Sequence, residues 1–270
     1  MKKDNLTFSK EHIKFLKKEK QNKVIVILGR IFVLVLLLGV WELLTATKVI
    51  DSFIYSSPSR IVKMLISLFK EGKILHHCWI TLYETILAFG ISMLIGTIIA
   101  VLLFACKRIR EISEPYLIIL NSLPKVALGP LIIVWFGAGT KAIVVMGFLI
   151  CIIITVITLL NSFLAVSKDK ILLMKTLGAS RWQILTQLIF PECLPSFFSV
   201  LKINVGMSWV GTIMGEYLVS KAGLGYLIVY GGYIFKLDLV MTAIFLLCIL
   251  AGIMYLLVAI LEKLLVKNNR

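Results

Sequence analysis

Histidine is scarce in this chain, at three residues, and the five cysteines are scattered. His12, His76 and His77 stand beside neither a cysteine nor an acidic cluster, and Cys78, Cys106, Cys151, Cys193 and Cys248 show no metal-ligand spacing. No metal site is therefore expected, and the cysteines read as small buried hydrophobes. Acidic residues number 14 against 29 Lys and Arg. None lies near the middle of an apolar run, where an ion-coupled carrier would place one, and no convincing internal repeat is present. No Gly-rich loop ends in Gly-Lys-Ser or Gly-Lys-Thr, which excludes ATP hydrolysis by that route. No nucleophile–base constellation stands out, so an enzyme reading is disfavoured and no bound cofactor is expected. No cleavable leader is evident either. The first apolar run begins near Val24, after a long polar stretch, and is long enough to remain as an anchor.

Apolar residues are what the chain has instead. Of 270 residues, 60% are hydrophobic, and the mean hydropathy is +1.00. A soluble domain of this size is closer to half apolar, and the excess would cover its surface with apolar patches. Lipid removes that penalty, and a hydrocarbon core of roughly 30 Å is crossed by about 20 apolar helical residues. Six runs qualify, at about 24–46, 82–105, 115–136, 142–163, 193–215 and 240–261. Each must satisfy its own backbone hydrogen bonds, so each is expected to be a helix. The runs are too long and too uniformly apolar for barrel strands. The fold class is therefore an all-α integral membrane bundle.

The net charge of +15 would point a soluble protein toward nucleic acid; here its distribution sets topology instead. The N-terminus, the turn after the second span, the loop after the fourth and the C-terminus hold 18 Lys and Arg, against 8 in the opposite segments. Arg30, Lys125 and Lys202 lie within spans. The richer set is assigned to the cytoplasm, so both termini lie inside. Lys14, Lys17, Lys18, Lys20 and Lys23 fit contact with anionic head groups before the first span. The organisation is then a basic N-terminal segment (1–23), a first transmembrane helix (24–47), an outer segment (48–80), a core (81–265) and a short cytoplasmic tail (266–270).

The outer segment holds Pro58 after Ser56 and Ser57, and Ile61, Met64, Leu65, Leu68 and Phe69 follow at helical spacing. A surface helix capped by a serine is expected. The loop 164–192 is longer than a simple connection needs. Ile171, Met174 and Leu177 mark one helical face; Ile184, Leu185, Leu188 and Ile189 mark another. Gly178 between them ends the first helix in a left-handed conformation, Ser180 caps the second, and Pro191 ends it.

Thr176-Leu177-Gly178-Ala179-Ser180-Arg181-Trp182, followed by Phe190-Pro191 and Leu194-Pro195, resembles the cytoplasmic "EAA" loop of binding-protein-dependent ABC importer permeases. Leu123-Pro124, Pro130-Leu131 and Trp135-Phe136-Gly137-Ala138-Gly139 look like the third span of the nitrate/sulfonate/taurine group of these permeases. Ser208-Trp209 with Glu216, then Gly223-Leu224-Gly225-Tyr226, look like that group's fifth span and outer loop. The resemblance covers about residues 57–265. It implies a six-span type I ABC importer transmembrane domain in the cell membrane of a prokaryote. It also implies two ATPase subunits that carry ATP and Mg, a second permease copy as a homodimer, and an extracytoplasmic solute-binding protein.

By that resemblance the ATPase-coupling residues are Lys175, Thr176, Leu177, Gly178, Ala179, Ser180, Arg181, Trp182, Phe190 and Pro191. One departure is plain: the family's Glu-Ala-Ala falls at Leu172, Leu173 and Met174, so no acidic contact carries over. Polar and aromatic residues within spans are the candidates for the translocation path: Asn121, Lys125, Trp135, Asn204, Ser208, Trp209 and Glu216. Lys125 lies where Pro124 and Pro130 break the helix, and Lys202 sits near enough to a span end to snorkel. Glu216 is equally a pore-mouth residue or a hydrogen-bond clamp. Glu42 and Glu84 lie close enough to span ends to be wetted and read as structural. Gly90, Gly96, Gly206, Gly211 and Gly215 suit close helix contacts. The cargo (nitrate, a sulfonate, taurine, a vitamin or a thiamine precursor) is not legible. An ion-coupled transporter and a non-transporting scaffold are the alternatives.

Overall fold

The computed structural model describes residues 10–267. The start of the basic segment and the end of the cytoplasmic tail lie outside the described residues. Among those described, every regular element is helical. The chain divides into two units, Met1–Lys63 and Met64–Arg270.

The first unit is built on α1 (Lys10–Ala46), which carries the first span, Val24–Ala46. The described part of the basic segment is therefore not separate from the span but the first part of one helix. A short α2 (Ser52–Tyr55) is capped by Asp51, whose carboxylate accepts the Phe53 amide at 2.8 Å. α3 (Pro58–Lys70) begins with Pro58 in its first turn, as expected, because proline has no amide to leave orphaned there. Ser57 caps it by accepting the Arg60 amide at 3.3 Å. Glu42 has a structural role: its carboxylate accepts the Ser59 amide at 2.9 Å.

The second unit holds the remaining spans. α4 (Ile74–Ala105) turns at Cys106 into α5 (Lys107–Ser122), and a 3-10 turn (Lys125–Leu128) leads to α6 (Gly129–Phe136). The third span is broken there by 84°. Leu123 is extended, as a residue before proline must be, and Pro124 opens the break. Pro130 does not break anything; it occupies the first turn of α6. α7 (Thr140–Leu164) is the fourth span. α8 (Lys168–Thr176) and α9 (Arg181–Ile184) form a hairpin, and α10 (Phe190–Val219) is the body of the fifth span. α11 (Leu224–Tyr233) is a helix where only a loop is expected, and α12 (Leu237–Lys267) is the last span.

α7 is central, packed by α4 on one side and α10 on the other. Small residues make that approach possible. A Cβ on Gly147 would lie 2.7 Å from the Ala88 Cβ, and one on Gly211 would lie 2.5 Å from the Gly147 Cα. Gly215 meets the Ile143 backbone and Gly96 meets Thr155 just as closely. Lipid gives no hydrophobic reason for helices to associate, so contact of this kind has to hold them. Gly90 and Gly206, expected to serve the same purpose, have nothing within 4 Å.

Apolar packing then fills two ends. Leu103, Leu159, Phe163, Ile189 and Cys193 form a cluster where the hairpin meets the spans. Phe198, Trp209, Leu224, Leu246 and Met254 form another between α10, α11 and α12.

Candidate functional site

The hairpin between α7 and α10 is assembled from strong local signals. Gly178 has φ +79°, the left-handed conformation expected of it. Its amide donates to the Lys175 carbonyl at 3.0 Å and the Ala179 amide to the Met174 carbonyl at 3.0 Å. These two bonds close a Schellman motif and satisfy carbonyls that would otherwise end α8 unpaired. Ser180 then opens α9 with a capping box. It accepts the Gln183 amide at 3.2 Å, and the Gln183 side chain accepts the Ser180 amide at 2.8 Å. Lys170 braces the arrangement through a 2.8 Å ion pair with Glu192.

Pro191 does not end the second helix, contrary to expectation. α9 passes through a π-helical turn (Leu185–Ile189) into α10, making one helix from Arg181 to Val219. The Phe190 amide donates to the Leu185 carbonyl, five residues back. The wider turn displaces the Gln187 carbonyl that the Pro191 ring would otherwise strike.

The hairpin has two faces. Ile171, Met174, Ala179 and Leu188 pack on the core with buried Ile184, Leu185 and Ile189. Leu177, expected on that face, is instead 75% exposed, and Trp182 is 68% exposed. The Schellman turn rotates Leu177 out at the tip. Leu172 and Leu173 are also exposed, as are Lys175, Thr176, Gly178, Ser180, Arg181 and Pro191. Phe190 is half-buried, its ring tilted by 58° against that of Phe163.

At the opposite end of α10, Glu216 organises the start of α11. The first amides of a helix have no partners within it. Here the Gly223 amide donates to His77 Nδ1 at 3.0 Å, and the Leu224 amide to Thr81 Oγ1 at 2.8 Å. The Gly225 amide donates to Glu216 Oε2 at 2.5 Å, and the Tyr226 amide faces the same carboxyl. A carboxyl at a helix N-terminus is favoured by the aligned peptide dipoles. The two glycines leave it room: a Cβ on Gly223 would strike the Glu216 carboxyl, and one on Gly225 would fall 2.8 Å from Oε2. Of the two roles open to Glu216, this geometry is the clamp.

Thr81→Val tests it. The variant keeps the shape but strands the buried Leu224 amide, at a cost of about 1–3 kcal/mol. The expected result is a lower Tm and faster amide exchange confined to 223–226. Unchanged exchange there would dismiss the clamp.

Glu84 is not wetted, as a span-end residue was expected to be; it is 1% exposed. The Glu216 carboxyl and the Thr140 hydroxyl face it from the neighbouring helices. Lys202 pairs with Glu262 across α10 and α12.

The seven residues expected along a path fall into two groups. Asn121 and Trp135 are exposed on α5 and α6, and Lys125 is half-buried at the break, its ammonium donating to the Asn121 carbonyl at 3.0 Å. Asn204, Ser208, Trp209 and Glu216 are buried between helices of this one chain. Asn204 donates to Thr155 Oγ1 at 2.6 Å and so ties α10 to α7. Ser208 bonds the Val205 carbonyl of its own helix, and Trp209 packs in the α10–α12 cluster. A solute reaches these four only if the helices part. His77, Thr81 and Glu84 belong to the clamp region but escape a sequence reading.

The model of the family described as binding-protein-dependent transport system inner membrane component matches residues 92–270. A probable ABC transporter permease protein of Haemophilus influenzae is 29% identical, over 81% of this chain and 89% of its own length. A riboflavin transport system permease protein of Chloroflexus aurantiacus is 28% identical, over 89% and 90%. Among solved structures, an inward-facing MetNI methionine ABC transporter chain aligns with a TM-score of 0.62. It is 22% identical and matches over 73% of this chain and 95% of its own.

Proposed function

We propose a role that proceeds from one premise: this chain belongs to the family of binding-protein-dependent transport system inner membrane components. It is a multi-pass membrane protein and the permease subunit of an ATP-driven importer. The type I importer fold implies a dimer of permeases and a partner ATPase. The finer reading is that the 164–192 hairpin couples this chain to separate ATPase subunits that bind ATP and Mg. A second copy of the chain completes the pathway, and an extracytoplasmic binding protein delivers a small polar solute. Both termini and the hairpin then face the cytoplasm of a prokaryotic cell, as the distribution of Lys and Arg supports. No nucleic acid is involved.

One observation carries the coupling role. Leu172, Leu173, Leu177 and Trp182 are exposed apolar side chains on a rigid, doubly capped hairpin beyond the ends of the spans. Large apolar side chains left exposed on a loop outside the spans mark an interface. Its chemistry suits a cleft on another protein, with Lys175 and Arg181 at the margin. The family's acidic contact is missing, so packing is what the hairpin supplies.

The mechanism follows from continuity. Force applied at Trp182 acts on one 39-residue helix that ends at the Glu216 clamp. Closure of the ATPase pair around ATP draws two hairpins together, and the attached spans tilt as rigid bodies to face first one side, then the other. The cycle requires the ATPase to contact the two states unequally; equal affinity would shift nothing. We place the solute path on the exposed side bearing Asn121, Lys125 and Trp135, and assign Asn204, Ser208, Trp209 and Glu216 to helix packing.

Leu177→Asp and Trp182→Ala lie outside the core, so Tm should change little, by about 0.5 kcal/mol equivalent or less. Each should weaken capture of the ATPase subunit by at least about tenfold, as loss of an interface anchor does. Undiminished co-purification of both variants would sink the coupling role.

A further inference from the structure

α4 is longer than a membrane requires. Its 32 residues extend about 48 Å at 1.5 Å each, against a hydrocarbon core of roughly 30 Å. Trp79 and Tyr83, both exposed, suit the edge of that core, where amphipathic rings gather. His77, in the first turn of α4, then stands beyond the hydrocarbon, half-buried against the start of α11.

Three side chains hold the first amides of α11, and they differ in one respect. The Thr81 hydroxyl, which takes the Leu224 amide, has an acceptor oxygen at any ordinary pH, and the Glu216 carboxyl, which takes the Gly225 amide, has one in either charge state. The imidazole that takes the Gly223 amide does not. Its Nδ1 accepts only while unprotonated, and the charged ring carries a hydrogen on both nitrogens. The ring also stacks on Tyr226, with centroids 6.1 Å and planes 17° apart, and Tyr226 stacks on Tyr230. The stack fixes the ring plane, and an aromatic face is a favourable seat for an imidazolium. A charged His77 therefore keeps its place, its new Nδ1 hydrogen aimed at the Gly223 N–H. Donor faces donor, and Gly223 is the one that moves.

The surroundings set the pH at which this happens. Burial lowers the pKa of His77 from the ordinary histidine value, and His76 and Lys73 of the same helix lower it further. From α10, Glu216 faces the Gly225 and Tyr226 amides; α11 offers the Tyr226 ring; Lys221 stands exposed on the turn between them. Because the folded value is the lower one, the Gly223 bond is at full strength above about pH 6.5 and is lost as pH falls through the value His77 has in place.

We infer that His77 is a pH-sensitive latch: neutral, it fastens the start of α11 to α4; protonated, it lets go, and the Glu216 clamp at the end of the coupling helix loosens. External acid then slows import. That last effect rests on the importer reading above, with this end of the bundle facing outward; the latch itself does not.

Amide exchange of the full chain in lipid nanodiscs tests the latch, read as protection factors corrected for the intrinsic pH dependence of exchange. Between about pH 7.5 and about pH 5, protection at 223–226 should fall at least about fivefold, the loss of one ordinary hydrogen bond, while protection at 147–155 in α7 stays level. His77→Asn supplies an acceptor oxygen near the position of Nδ1 and does not titrate, so it should keep the parent's neutral-pH protection in acid. His77→Phe keeps a ring for the stack without an acceptor, so it should show the acid level at both pH values. Level protection in the parent overturns the latch. So does an acid loss in His77→Asn equal to the parent's, which would assign the titration to another group. Should neither variant fold, ring-nitrogen NMR of His77 in the parent decides: its protonation midpoint has to coincide with that of the exchange change, and midpoints about one pH unit or more apart overturn the assignment. In proteoliposomes, external acid should lower stimulated ATP hydrolysis in the parent more than in His77→Asn; an equal fall in both defeats the effect on import. Capture of the ATPase subunit at neutral pH keeps the two readings apart. Capture with flat exchange defeats the latch alone, whereas a working latch in a chain that captures nothing defeats the importer coupling alone.

Discussion

Gly178→Val is expected to reduce ATP hydrolysis stimulated by the loaded binding protein to the basal rate, with insertion and span packing intact. A Cβ at Gly178 meets nothing within 4 Å, so the effect is not steric crowding by neighbours. It comes from the backbone. At φ +79° an L side chain sits too close to its own carbonyl, at a cost of about 1–2 kcal/mol, and a β-branched one does worse. Relief requires the turn to leave the left-handed region. That breaks the Gly178–Lys175 and Ala179–Met174 bonds together. Leu177 and Trp182, which flank the turn, then lose their mutual placement. Gly178→Asn should retain most of the stimulation, because asparagine tolerates this conformation. Full stimulation in the valine variant, measured on the assembled transporter in proteoliposomes, would rule out the hairpin as the coupling element.

Where interactions are local, the residues announce them. Gly178 and Ser180, two positions apart, specify a helix stop and a helix start, and the structure has both within bonding distance. Leu123 before Pro124 specifies the break in the third span, and Ser57 before Pro58 the start of α3. Gly211 and Gly215 could be read as contact positions, whereas Gly206, one turn away, reads the same and touches nothing. Periodicity tells which residues are small, not which side of a lipid-bathed helix finds a neighbour.

The clamp is illegible for a different reason. His77 and Gly223 are separated by 146 residues, and Thr81 and Leu224 by 143. Nothing in either segment names the other. α11 itself has glycines at positions 225, 231 and 232, a poor helix by propensity. It forms because acceptors from α4 and α10 satisfy its first amides. A trace was available in α4. Thr81, Thr85, Ala88, Ser92 and Gly96 follow one another at three- and four-residue steps through an otherwise apolar helix, and all five are buried. Small and polar residues on one stripe of a membrane helix indicate the face that meets protein, and Glu84 lies beside that stripe. Pro191 shows the opposite failure. The rule that proline ends a helix is sound, but a π turn suspends it, and no residue type encodes that turn.

Gly211→Val should abolish accumulation of folded protein, whereas Gly206→Ala on the same helix should change nothing measurable. The contrast isolates one contact. At Gly211 the added Cβ would lie 2.5 Å from the Gly147 Cα and 3.1 Å from its amide nitrogen. Both are backbone atoms of α7, so no side chain can swing aside. α7 cannot retreat either, because Gly147 already meets the Ala88 Cβ of α4 on its other flank. The strain therefore spreads to three helices at once. Overpacking a well-filled core costs about 1–3 kcal/mol where side chains yield, and more where they do not. Separating α7 from α10 also breaks the buried Asn204–Thr155 bond, leaving Thr155 only the Cys151 carbonyl of its own helix and Asn204 only the Met93 sulfur, and adds about 1–3 kcal/mol. Together these approach the whole stability of an ordinary domain. Gly206 has open space around it, so its alanine adds only helix propensity. Thermal denaturation of the two variants in matched detergent decides the matter. A Gly211→Val protein melting within a few degrees of the parent would mean that α7 and α10 do not meet through these two glycines.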